Sequence, residues 1–240
     1  MRNYLCLIFI LVSFFGCAKS SSEHPGSDYD SIRRPCPSFN IDCIRSYFQY
    51  HASCVPHYEP IPDPLYLQKY SLYIANSNIT VELNDVKVQG LLNAKIVEFY
   101  INKRTDKLVL AIETEKLTVE TPRMLMKYLR KAQEPIELVD NLYVGYGVVT
   151  ITATMPYINN IQLTNAEVTA YAEDGNPPYT MGPNINNSSD PVVKTSYEHL
   201  LNNIPFNIRE AFVTQGPLFM ANYIQYNICD FGLRFNSYSH

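Results

Sequence analysis

The chain has 240 residues and a formal net charge of −4, with basic and acidic side chains nearly balanced. That balance offers no basic surface for nucleic acid or an anionic membrane, and the length suits one large domain or two small ones. Nineteen tyrosines and eleven phenylalanines, with no tryptophan, suit a roomy apolar interior edged by polar handles.

Residues 1–18 read as a secretion signal. Arg2 leads, Leu5 to Phe15 is the apolar core, and Gly16-Cys17-Ala18 supplies small residues at the cleavage position. Phe15-Gly16-Cys17 also fits a bacterial lipoprotein cleavage site, which is the alternative. Cleavage after Ala18 leaves Cys36, Cys43, Cys54 and Cys229, an even number that reads as two disulfides in a secreted chain. Residues 19–35 are rich in serine, glycine and charge, and read as a flexible N-terminal segment.

A single domain is expected over 36–240. Asn40 or Ser38 can cap a helix running to about His51, with Ile41, Ile44 and Phe48 on one face. Spacing alone leaves three cysteine pairings open. In one straight helix Cys36 and Cys43 would lie roughly 10 Å apart, too far to bond. With Pro37 breaking the start, Cys36 can fold back onto Cys43, a closure worth roughly 2 to 3 kcal/mol. Cys54 would then pair with Cys229, the alternative being two buried free thiols.

Pro56, Pro60, Pro62 and Pro64 make a stiff connector. The pattern then changes to period two. Ile79, Val81 and Leu83, then Val86 and Val88, then Val97, Phe99 and Ile101, then Leu108, Leu110 and Ile112 mark antiparallel strands with an apolar face. Lys103 to Asp106 is a turn. Thr121-Pro122 opens a stretch, Arg123 to Gln133, that reads locally as a helix ended by Pro135. Strands resume from Leu142 to Met155 and from Ile161 to Tyr171. Asp174 to Ser196 reads as a long polar loop.

From Asn207 to Phe235 the character changes again. No charged residue stands between Glu210 and Asp230, and apolar residues recur on more than one face. A helix from Ile208 to Cys229 would be about 33 Å long and enclosed by protein. Thr214, Gln215, Asn222, Gln225 and Asn227 argue against a lipid-facing span. Gly216-Pro217 should kink or restart this helix. The order of elements gives an α+β fold with a curved antiparallel sheet around the last helix.

Four stretches together resemble the insect haemolymph juvenile-hormone-binding and takeout family. They are Cys36 and Cys43 in CPSFNIDC, the connector Pro60-Ile61-Pro62-Asp63-Pro64-Leu65, the strand pair Ile79 to Ile96, and Leu200 to Phe212 followed by Pro217. The resemblance runs from about Cys36 to Phe235. It implies a long C-terminal helix wrapped by a strongly curved sheet, a super-roll. It also implies a secreted carrier that holds a terpenoid such as juvenile hormone, or a fatty-acid-like lipid, in an apolar pocket. The family's tryptophan before the long helix is absent here, and the helix-like stretch from Arg123 to Glu137 falls where the family has sheet.

No catalytic motif is found, and neither a cofactor nor a metal is expected. His51 and His57 flank Cys54 and read as two exposed histidines beside a disulfide. Asn78, Asn186 and Asn187 head glycosylation acceptor triplets. The expected partner is a hydrophobic small molecule, without nucleic acid or stable membrane insertion. The candidate lining is Val97, Phe99, Leu110, Ile151, Met155, Phe212, Phe219, Met220 and Tyr223, each of which could equally be ordinary core. Two alternatives remain: a secreted structural or signalling protein of the same fold with a filled cavity, and a membrane-surface lipid-transfer or lipopolysaccharide-binding protein.

Overall fold

Helix α1 (Ile41–His51) is capped by the Asn40 side chain, which accepts a hydrogen bond from the Cys43 amide at 2.9 Å. Ile44 and Phe48 turn to its buried face, and the Cys36–Cys43 disulfide closes the segment in front of it. The computed structural model describes residues 31–233 and 237–238. The expected signal, 1–18, and residues 19–30 of the flexible segment lie outside the described residues.

Two short strands, β1 (Ile32–Arg33) and β2 (Val55–Pro56), flank this helix. Longer ones follow: β3 (Leu65–Ile74), β4 (Ile79–Gln89), β5 (Lys95–Asn102), β6 (Lys107–Glu115), β7 (Thr118–Arg130), β8 (Gln133–Gly145), β9 (Val148–Pro156) and β10 (Glu167–Ala172). Then come β11 (Tyr179–Met181), α2 (Pro183–Asn186), α3 (Pro191–Asn202), α4 (Ile204–Asn227), β12 (Cys229–Asp230) and β13 (Ser237–Tyr238).

Among the described residues the strands form three open sheets, ordered β1-β5-β6-β9-β10, β11-β8-β7-β4-β3-β13 and β12-β2. The class is α+β, but the expected super-roll does not form: no sheet is closed or strongly curled around the last helix. The reason is a seam where the chain changes sheets. It crosses at Gly90 after β4, at Lys116-Leu117 between β6 and β7, and at Tyr146-Gly147 between β8 and β9. The crossings are tied together. The Lys116 amide donates to the Gly147 carbonyl and the Tyr146 amide to the Leu117 carbonyl, each at 2.7 Å. The Thr114 hydroxyl donates to the Gly90 carbonyl at 2.6 Å. Gly90 has φ +105°, and a Cβ there would sit 2.8 Å from the Lys116 carbonyl oxygen, so only glycine fits. Period-two alternation fixes the face a side chain takes, not the strand that its backbone pairs with.

The stretch Arg123 to Gln133, expected as a helix, is the second half of β7 and the turn into β8. Met124, Met126 and Tyr128 alternate inward, and Met126 pairs with Val81 on one side and Leu138 on the other. Helix propensity differs by only a few tenths of a kcal/mol per residue, whereas burying each of these side chains is worth about 1.5–3 kcal/mol. Pro122 falls in an irregularity of the β7–β8 ladder between Thr121 and Met124, where its missing N–H costs little. The expected strand from Leu142 to Met155 is two strands in different sheets, divided at Tyr146-Gly147. The expected polar loop, Asp174 to Ser196, carries β11, α2 and the start of α3, whose first turn the Asp190 carboxylate caps through the Val192 amide at 2.8 Å.

Helix α4 lies against β9 and β10 of one sheet and β3 of another. It runs unbroken through Pro217; the carbonyl left without a helical donor belongs to Val213, an exposed residue. Every residue from Phe219 to Gln225 is buried, so this half is enclosed all round. Its amides find partners inside the protein. The Asn222 side chain donates to the Leu218 carbonyl at 2.8 Å, and Gln225 exchanges two hydrogen bonds of 2.9 Å with the Leu233 backbone. The Cys54–Cys229 disulfide holds the residues that follow. Among the described residues no helix is long and apolar enough to cross a membrane.

Candidate functional site

Strands β3, β4, β7 and β8 turn alternate side chains toward α4, and a cavity of about 140 Å³ lies between them. The sheet side is Leu72 and Ile74, Val81 and Leu83, Val119, Met124 and Met126, and Leu142 and Val144. The helix side is Ile204, Asn207, Ile208, Ala211 and Gln215, spaced at three and four residues along α4, with Leu200 from α3. Tyr146 from the seam, Pro177, Tyr179 and Met181 complete the wall.

This wall is apolar apart from a few neutral groups, and among the described residues no carboxylate, lysine, arginine or histidine lines it. Burial pushes the Tyr146 hydroxyl far above the usual tyrosine range. Beside it, burial pushes the Tyr70 hydroxyl up to about 12, against smaller opposing effects of hydrogen bonds to Thr214 and Gln215. Tyr70 donates to the Ala211 carbonyl at 3.1 Å. Both phenols are therefore neutral donors at neutral pH. Asn207 donates its amide to the Leu200 carbonyl at 2.9 Å, which fixes which of its side-chain atoms is oxygen. That oxygen, and the amide oxygen of Gln215, are buried without a hydrogen-bond partner. A buried acceptor left so costs about 1–3 kcal/mol.

Such a site can hold an apolar molecule; it offers neither nucleophile nor general base. Among the described residues no group of three or more His, Cys, Asp and Glu could hold a metal ion. Elsewhere, the Ser77 hydroxyl meets His199 Nδ1 at 3.2 Å, but the imidazole sits on the exposed face of α3.

None of the nine residues expected to line a pocket borders this cavity. Val97 and Phe99 on β5, Leu110 on β6, and Ile151 and Met155 on β9 belong to the five-stranded sheet, and all but half-buried Val97 are fully enclosed. Phe212, Phe219, Met220 and Tyr223 are buried on α4. Phe212 stacks behind the cavity wall, its ring centroid 5.0 Å from that of Tyr146. Of the residues that do line the cavity, Val81 and Leu83 are legible in the sequence as the apolar face of a strand, whereas Met124 and Met126 are masked by the helix-like composition of β7. The alternation of Met124, Met126 and Tyr128 at period two is the available signal for that strand, and the two methionines border the cavity.

The two histidines are half-buried rather than exposed: His57 Nδ1 donates to the Tyr226 carbonyl at 2.6 Å, and His51 stacks on Tyr47. Asn186 and Asn187 are exposed at the end of α2. Asn78 is exposed too, but its side chain is engaged, donating to the Leu129 carbonyl and accepting from Tyr73, both at 2.9 Å.

Known proteins similar to this chain include the following. The model of the family described as Fibroin P25 matches residues 32–233. Fibrohexamerin of Galleria mellonella is 22% identical over 208 residues, which cover 85% of this chain and 90% of that protein. The crystal structure of Epiphyas postvittana Takeout 1 is similar at 16% sequence identity and a TM-score of 0.45, covering 77% of this chain and 87% of that one.

Proposed function

The chain belongs to the Fibroin P25 family, and from that premise we propose that it is a secreted, non-catalytic protein that accompanies fibroin. The observation that carries this reading is the extent of the family match, which spans nearly all of the described residues. The name of the Galleria relative, fibrohexamerin, supports it. Two disulfides suit an oxidising, extracellular setting. Glycans at Asn186 or Asn187 fit the same route. On and just after α1, Tyr50, Val55 and Tyr58 stand 85%, 70% and 68% exposed, side chains suited to a protein partner. The test is size-exclusion chromatography of the secreted protein mixed with fibroin chains from the same animal, without reductant. Co-elution is expected. Elution at the mass of the isolated protein, with fibroin present and soluble, overturns the proposal.

A second reading is favoured by the cavity under α4: the protein carries a small hydrophobic molecule, such as a terpenoid or another lipid. At about 140 Å³ the cavity is smaller than ordinary ligand pockets of about 300–1,000 Å³. It is close to the roughly 150 Å³ cavity that takes up benzene in an engineered protein. A hydrophobic fluorescent probe should bind saturably and be displaced by apolar compounds. No displacement from the folded protein sinks this reading.

A further inference from the structure

We propose that the cavity under α4 selects an apolar molecule bearing a hydroxyl group over a carboxylate or an ester of the same size. This rests on the reading of that cavity as a ligand site. Its basis is the pair of unpartnered acceptors, Asn207 Oδ1 and Gln215 Oε1, on residues 9% and 6% exposed that both border the cavity. The two residues are eight positions apart, so they stand about 12 Å apart along the helix, near the two ends of its apolar stripe.

An alcohol supplies the O–H donor that either oxygen lacks. An ester or epoxide brings acceptors only and leaves both oxygens unpaired, keeping the cost of an unmet buried acceptor. A carboxylate is worse. It sets negative charge against acceptor oxygens, and among the described residues no lysine, arginine or histidine lines the wall to offset its desolvation. The Tyr146 hydroxyl serves an alcohol or an ester equally, so the two amide oxygens decide. Met124, Met126 and Met181 all border the cavity, half of the chain's six methionines. Their unbranched side chains let the wall adjust to length while the polar ends set the head group.

The experiment is displacement of N-phenyl-1-naphthylamine from the purified protein by 1-octanol, octanoate and methyl heptanoate. Octanol should displace the probe at a concentration about tenfold lower than methyl heptanoate, with octanoate weakest. In the double variant Asn207→Leu with Gln215→Leu the advantage of octanol should disappear while the probe still binds. Ala211→Phe, which fills the cavity, should abolish displacement by all three. Equal displacement by alcohol and ester in the native sequence overturns the selection and leaves the cavity reading standing. No displacement by any of the three overturns the cavity reading itself. An alcohol preference that survives the double variant also overturns the assignment to these two residues.

Discussion

Arg45 donates its Nε hydrogen to the carbonyl oxygen of Asn227 at 2.8 Å, across 182 positions of sequence. Asn227 is the last residue of α4, so a cation from α1 sits on the negative end of the long helix. The same Nε also reaches the His57 carbonyl at 3.1 Å, Nη1 pairs with Asp42 at 2.9 Å, and the guanidinium lies over the Tyr58 ring. The side chain is only 14% exposed. Arg45→Met keeps the aliphatic stem and removes the charge. It should lower stability by about 1.5–3 kcal/mol, the worth of a charge-assisted hydrogen bond. Urea unfolding measures this, and an unchanged midpoint would refute the clamp.

Gly90→Ala should be among the costlier single-methyl changes in the chain. The new Cβ meets backbone rather than a movable side chain, and φ of +105° is itself strained for alanine. A loss of about 1–3 kcal/mol is expected. Gly175→Ala is the control, since its Cβ would meet nothing within 4 Å. Similar midpoints for the two variants in thermal unfolding would mean that the seam yields.

Phe219 and Met220 separate core from cavity. They are 1% and 0% exposed, and neither borders the cavity. Phe219→Ala should cost about 3–5 kcal/mol and Met220→Ala about 2–5 kcal/mol. Neither loss should change when octanol is added. A loss that octanol rescues would place a ligand on the enclosed half of α4 instead.

The buried phenols predict an alkaline limit. Burial pushes the Tyr70 and Tyr128 hydroxyls up to about 12, from an ordinary value of 10.0. Below pH 10 both are neutral in the folded and the unfolded chain, and their contribution is complete. Between pH 10 and 12 the unfolded chain loses its protons while the folded chain keeps them, so stability falls as pH rises. Urea midpoints across that range should drop, and Tyr70→Phe should make the drop shallower. A flat profile to pH 12 would contradict the burial of these groups.

Much of the architecture could be read from residues. Asn40 before an apolar stripe marks α1, and Ile79, Val81 and Leu83 at period two mark the buried face of β4. These signals are local, and local patterning is what propensity and periodicity report. The seam is different. Glu115 and Thr118 are three residues apart yet belong to different sheets, and that choice depends on partners distant in sequence. β7 was hidden by its composition, because methionine, leucine, lysine and arginine favour a helix until strands on both sides claim the backbone. The cavity went with it. Gln215 reads as one of several polar residues in an apolar run and Asn207 only as its start, and burial alone shows that their oxygens stand unmet.

The disulfide at Cys229 makes α4 a beam clamped at one end. Beyond Asn227 the chain is bonded covalently to Cys54 and laddered to β2, while Arg45 grips the last turn. Toward Asn203 the helix carries exposed Phe206 and Val213 on its outer side and the cavity beneath it. Deflection of such a beam grows with distance from the clamp. Opening is expected to begin over the cavity, where the Asn207–Leu200 and Tyr70–Ala211 hydrogen bonds must give, and to stop short of the enclosed half, as local unfolding follows the least-packed segment. On the carrier reading, bending this one helix would admit and release a guest with all three sheets and both disulfides intact.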